Sequence, residues 1–166
     1  MIQVTDGANT DTITVTVNLQ DVNEFSPVFG DGDGDGESST ATATPNENQQ
    51  AVGTYAATDA DGSATQTYSI LTAAQNAASV DHDLFSVGAG GVLAFSSAPD
   101  FETPGCGAGD NSNTCAVVIQ VTDGANTDTI TVTVTVQDLN DETPAFTSSG
   151  TCLLYTSPSP RDPHLS

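Results

Sequence analysis

Polar and apolar residues alternate with a period of two along the best-patterned stretch of the chain. Thr129, Thr131, Thr133 and Thr135 interleave with Ile130, Val132, Val134 and Val136. Successive strand side chains point to opposite faces, so this stretch predicts a strand with one apolar face. Val117, Val118, Ile119 and Val121 form an apolar run before it, and Thr122-Asp123-Gly124-Ala125-Asn126 between the two is turn chemistry. The pair predicts a hairpin. Further short strands are predicted at 40–44, 52–57, 67–71, 84–87 and 91–95, with no convincing helix. About seven short strands separated by turn residues predict an all-β fold, a seven-stranded antiparallel Greek-key sandwich. Its core is expected to draw on Val52, Tyr55, Tyr68, Ile70, Leu71, Phe85, Val87, Leu93, Phe95, Val118 and the alternating valines.

The hairpin sequence occurs twice. Residues 2–17 recur without change at 119–134, an offset of 117 positions, and the likeness continues from 20–29 to 137–146. So long a period is that of a domain, which predicts a tandem array of modules and not a short-repeat solenoid. The expected organisation is the last strands and linker of one module at 1–25, a complete module at 26–142, and the start of another at 143–151. Residues 152–166, beginning Cys-Leu-Leu-Tyr-Thr-Ser-Pro-Ser-Pro-Arg-Asp, resemble the translation of a transposase-type sequencing adapter. They are expected to be non-native, with both ends of the module array cut.

Charge changes the picture most. The chain carries 22 acidic residues against a single Lys/Arg, a net charge of −21, and that one basic residue is Arg161. Residues 1–160 therefore offer no basic side chain to nucleic-acid phosphate and would be repelled by anionic lipid. Nucleic acid is not an expected partner. The acids must be held by solvent, hydrogen bonds or metal cations. No apolar run approaches the roughly 18 residues of a membrane span. Met1 leads straight into a strand pattern without a signal peptide, which fits a cytosolic protein or a chain whose start is missing.

The acids cluster at strand ends. Glu47 precedes the second predicted strand, Asp59-Ala60-Asp61-Gly62 follows it, Asp100-Phe101-Glu102 follows the fifth, and Asp123 closes the sixth. Asp138-Leu139-Asn140-Asp141 lies where the last strand stops. A single pair of this kind is ordinarily a turn carboxylate. A set of such pairs without any basic partner instead suits Ca²⁺, which takes six to eight oxygen ligands.

In this order the motifs resemble those of the cadherin family over nearly all of residues 1–151. Glu47-Asn48 with Gly53 looks like the family's opening motif, Asp59-Ala60-Asp61 its Asp-x-Asp, and Asp100-Phe101-Glu102 its Asp-x-Glu. Residues 138–146 look like its Asp-x-Asn-Asp-Asn-x-Pro-x-Phe linker. The resemblance implies an immunoglobulin-like sandwich with Ca²⁺ between consecutive repeats. One ion group would use Asp21, Asn23, Glu24, Asp59, Asp61 and Asp123. The other would use Glu47, Asp100, Glu102, Asp138, Asn140 and Asp141, with Asp6 belonging to an earlier junction. The chain would hold at most one composite junction, itself incomplete. Two departures stand out: Glu24-Phe25 replaces Asp-Asn in the first linker, and Glu142 replaces Asn in the second. Phe25 offers no side-chain ligand, so an ion there is expected to be weaker or absent.

The resemblance further implies a calcium-stiffened, non-enzymatic module of an extracellular or cell-surface protein, with adhesion as its expected role. Its partners would be neighbouring repeats, another cadherin or a cell-surface protein, homophilic contact included, in a parent that could be membrane-anchored. The alternatives are a cadherin-like spacer in a secreted, carbohydrate-active protein and a calcium-free sandwich from a salt-loving organism. Residues 31–37 begin like an EF-hand loop, but position 12 is Thr42 instead of Glu, which favours an acidic insertion. Cys106 and Cys115 bracket a Gly/Asn/Ser loop, where a local disulfide and an oxidising compartment are expected and a reduced pair is the other state. His82, between Asp81 and Asp83, reads as a loop residue with no nucleophile at a motif spacing, and catalysis is not expected.

Overall fold

The computed structural model describes residues 1–30, 39–61, 65–107 and 109–146. The acidic run at 31–37, Gly62 and the tail at 152–166 lie outside the described residues. Eleven strands are described: β1 (Ile2–Thr5), β2 (Thr10–Ile13), β3 (Val28–Phe29), β4 (Thr40–Ala43), β5 (Ala51–Thr54) and β6 (Ala57–Thr58), followed by β7 (Thr67–Ile70), β8 (Phe85–Val87), β9 (Val92–Phe95), β10 (Thr114–Thr122) and β11 (Thr127–Thr135).

From β3 onward the strands build a sandwich. One sheet has the order β4-β11-β10-β7, another β5-β9-β8, and β3 pairs with β6. The alternation of Thr with Val and Ile does what the period requires: Ile130, Val132 and Val134 are buried while the threonines between them stay half-exposed. Those side chains meet Phe29, Phe85, Leu93 and Phe95 in one apolar cluster. The Phe85 and Phe95 rings stack at 4.6 Å, and Phe29 meets Tyr68 edge-on at 6.2 Å. Val118 points to the other face of β10 and is buried with Leu71 outside that cluster, where its N–H donates to Ser79 Oγ.

Two details depart from a simple antiparallel reading. β4 lies parallel to β11, pairing Thr40 with Thr131 through to Ala43 with Val134. The predicted strand at 52–57 is divided into β5 and β6, because β5 pairs with β9 and β6 with β3. At the break, Tyr55 N–H donates to the Gly91 carbonyl at 2.9 Å. Gly91 has φ +76°, and a Cβ there would come within 1.9 Å of the Tyr55 carbonyl oxygen, so only glycine permits this approach.

The two sequence copies meet different environments. β1 and β2 pair Ile2 with Ile13 and Thr5 with Thr10, the register of Ile119 with Ile130 and Thr122 with Thr127 in β10–β11. Every residue of β1 and β2 is exposed, whereas Ile119, Val121, Val132 and Val134 are fully buried. Asp128 adds a tie in the second copy, where its Oδ2 accepts the Phe29 N–H at 2.9 Å.

Candidate metal centres at the ends of the sandwich

The turns and strand ends that close the sandwich carry the acids, and hydrogen bonds show which of them come together. At the N-terminal end, Asp61 is buried, and its Oδ2 accepts the Phe25 N–H at 2.7 Å. Asp59 Oδ1 accepts the Asp61 N–H at 2.9 Å, folding the Asp-x-Asp loop upon itself. Asp59 Oδ2 is buried yet has no hydrogen-bond partner among the described residues. One atom of the Asn23 amide lies 3.0 Å from Asp123 Oδ2 and 3.1 Å from Asp61 Oδ2. As nitrogen it donates to both carboxylates; as oxygen it becomes a third ligand when a cation sits between them.

Asp123 also builds its own turn. Its Oδ1 accepts the Ala125 and Asn126 N–H groups at 2.7 and 2.6 Å, chiefly the Asn126 bond holding its carboxyl below the usual aspartate value. Asn126 Nδ2 then reaches the Phe25 carbonyl at 2.8 Å. Phe25 thus supplies no side-chain ligand, but its backbone is gripped on both sides, by Asp61 and by Asn126. Asp21 and Glu24 are exposed on the same linker. Asn126 went unrecognised in the sequence because a turn Asn has an ordinary local explanation. Asp6 repeats the Asp123 turn, accepting the Ala8 and Asn9 N–H groups at 2.9 and 2.7 Å.

At the C-terminal end the centre is Glu47, only 2% exposed. Its Oε2 accepts the Phe101 N–H at 2.7 Å and its Oε1 the Leu139 N–H at 2.8 Å. One carboxylate thereby holds the Asp-x-Glu segment and the linker in place. Oxygens of Glu47, Glu102 and Asp138 all lie within 4.8 Å of one another, as do those of Glu102, Asp141 and Glu142. Glu102 belongs to both groups. Burial, and then the charges of Glu47, Asp138 and Asp141, push its carboxyl above the usual glutamate value. Asp100 Oδ1 accepts the Glu102 N–H at 3.0 Å, and Asn48 Nδ2 donates to Asp141 Oδ2 at 2.5 Å. Asn140 is exposed beside them. Glu142, a departure from the linker pattern, brings a further carboxylate into the group.

These donor sets suit a hard cation. They are all oxygen and include a buried carboxylate oxygen without a partner among the described residues, and Arg161, the one Lys or Arg of the chain, lies outside those residues. Elsewhere, Cys106 and Cys115 are joined as a disulfide with their Cα atoms 4.8 Å apart. His82 Nε2 lies 3.2 Å from exposed Asp83, and its Nδ1 is 3.0 Å from the Ser79 carbonyl oxygen. Among the described residues no helix is long and apolar enough to cross a membrane.

No family model and no curated protein match the sequence. Solved structures do. The mouse clustered PcdhgC3 EC1-3 structure is 26% identical with a TM-score of 0.52, over 72% of this chain and 35% of that one. The human Desmocollin-1 ectodomain is 23% identical with a TM-score of 0.53, over 78% and 23%. PcdhgB3 EC1-4 is 19% identical with a TM-score of 0.57, over 82% and 30%. This chain spans about a third or less of each of these three structures, and the last two likenesses speak for the fold alone. With the motif order and the sheet topology, the likeness to PcdhgC3 marks the β3–β11 sandwich as a cadherin-like repeat, a module of extracellular or cell-surface proteins.

Proposed function

We propose that this module binds Ca²⁺ at both ends and uses it to stiffen its junctions with neighbouring repeats, within a non-enzymatic protein of cell adhesion. The domain division that goes with this proposal is the last strands and linker of one repeat at 1–25, a complete repeat at 26–142 and the start of another at 143–151. The observation that carries the reading is the convergence of Glu47, Glu102 and Asp138 within 4.8 Å, one of them almost fully buried, with no Lys or Arg among the described residues to neutralise them.

Asp21, Asn23, Glu24, Asp59, Asp61 and Asp123 would hold ions at the N-terminal junction. Glu47, Asp100, Glu102, Asp138, Asn140 and Asp141 would hold them at the C-terminal one, with Glu142 added. Without metal the carboxylates repel, and adjacent repeats hinge. Bound Ca²⁺ neutralises them and bridges two repeats, turning a hinged string into a rod that could engage another cadherin or cell-surface protein.

Extracellular Ca²⁺ modules bind at about 0.1–1 mM. Near 10 mM Ca²⁺, one such site stabilises the fold by about 1.4–2.7 kcal/mol. Thermal unfolding in EDTA should therefore come several degrees below that in 10 mM Ca²⁺. Coincident melts would refute the proposal.

A further inference from the structure

Asn113 belongs to none of the groups above, yet it touches the segment that carries two of the proposed ligands. Phe101 lies between Asp100 and Glu102, and its backbone is held at both edges. Its N–H donates to Glu47 Oε2 at 2.7 Å, and its carbonyl accepts from Asn113 Nδ2 at 3.0 Å. Released from the second bond, Glu102 would be free to swing away from the like charges of Glu47, Asp138 and Asp141.

The loop carrying Asn113 is itself braced. Cys106 and Ser112 exchange backbone hydrogen bonds of 3.0 and 3.2 Å, and the Cys106–Cys115 disulfide closes the loop around Asn113. The buried carboxylate of Asp81 binds the residue after each cysteine, accepting the Gly107 and Ala116 N–H groups, both at 2.8 Å. The Asn113 carbonyl accepts the Val136 N–H at 2.8 Å, tying the loop to the chain that leads into the linker.

We infer that Asn113 is a positioning residue for the C-terminal metal group: the disulfide-closed loop holds its amide against the Phe101 carbonyl and so sets the Asp100–Glu102 arm in metal-binding geometry. The inference rests on the calcium reading of the preceding subsection. It makes the affinity of one end of the repeat, and not the other, depend on a loop containing no ligand.

The amides that bond to ligand carboxylates serve as reporters. Phe101 and Leu139 bond to Glu47 at the C-terminal end, and Phe25 bonds to Asp61 at the N-terminal end. In a Ca²⁺ titration followed by ¹H–¹⁵N NMR of the full chain, Asn113→Leu should raise the midpoint read at Phe101 and Leu139 by about tenfold, the usual scale for losing an outer-shell partner. The Phe25 midpoint should stay put. Cys106→Ser/Cys115→Ser should move the same two amides in the same direction, which keeps the test independent of how Asn113→Leu folds. Unchanged Phe101 and Leu139 midpoints in both variants, or an equal shift at Phe25, would overturn the role given to Asn113. Parent-protein amides that ignore Ca²⁺ would overturn the calcium reading and this inference together.

Discussion

Glu47 accepts the amide hydrogen of Leu139 at 2.8 Å across 92 positions of sequence, while its other oxygen holds Phe101. A buried carboxylate bridging two backbone donors is both a structural tie and a preset metal ligand. Glu47→Gln exchanges one acceptor oxygen for a donor and sets N–H against N–H. Urea unfolding in EDTA should show a loss of about 1.5–3 kcal/mol, the range for hydrogen bonds to charged groups. A midpoint equal to that of the parent would show that the tie contributes little.

Asp59 should respond with opposite signs in the presence and absence of metal. Its Oδ2 is buried and without a partner among the described residues. Asp59→Asn keeps an oxygen to accept the Asp61 N–H and removes one negative charge beside the Asp61 carboxylate, so stability in EDTA should rise by about 1 kcal/mol. The gain on adding Ca²⁺ should shrink in the same variant. Equal Ca²⁺ stabilisation of variant and parent would exclude Asp59 as a ligand.

The pH profile follows from two opposed shifts. Asp123 is held below its usual 3.8, first by the Asn126 N–H, so its contribution is present above that value and lost as pH falls through the folded one. Glu102 is raised above its usual 4.5, first by burial. Its ionised form therefore weakens the metal-free fold, and protonation on acidification relieves that penalty. Metal-free stability should pass through a maximum on the acid side of neutrality, and Ca²⁺ affinity should fall steadily over the same interval. Thermal melts in EDTA that worsen monotonically from pH 7 downward would contradict the sign given to Glu102.

The two hairpins allow one substitution to be tested in identical local sequence. Ile130 is 2% exposed and Ile13 is 61% exposed. Ile130→Ala should cost about 2–5 kcal/mol in urea unfolding. Ile13→Ala should remain within about 0.5 kcal/mol. Similar costs at the two positions would mean that burial is not what separates the copies.

Much of the architecture was legible in short-range pattern. The Thr/Val alternation of β11 and the turn after β10 identified the hairpin, and spaced turn residues marked β4, β7, β8 and β9 to within a residue or two. β3 was missed because two residues carry no period. The split of β5 from β6 was missed because it depends on Gly91, which is 36 positions from Tyr55 in the chain yet packs on it. At the candidate centres, the acids could be named from spacing, but their bonding could not. Nothing near Glu47 in sequence indicates that its two oxygens serve Phe101 and Leu139. The parts that Asn126, Glu142 and Asn113 play at these centres came into view only through contacts between distant segments.

The repeated segment separates the two kinds of information. In both copies Thr, Asp, Gly and Asn make the same turn: the Thr5 and Thr122 hydroxyls each donate to an Asn carbonyl at 2.9 Å, and Gly7 and Gly124 have φ of +96° and +97°. Local hydrogen bonds and a glycine suffice for this, so the sequence by itself determined the turn and the strand register. How far the strands extend was decided elsewhere. β1 and β2 hold four residues each, and β10 and β11 hold nine each. The longer strands have β4 and β7 along their edges and an apolar sheet across from them, and strand pairing is stable only where side chains find something to bury against. The same division applies to charge: composition set the −21, and only the folded chain brought Glu47, Glu102 and Asp138 within reach of one ion.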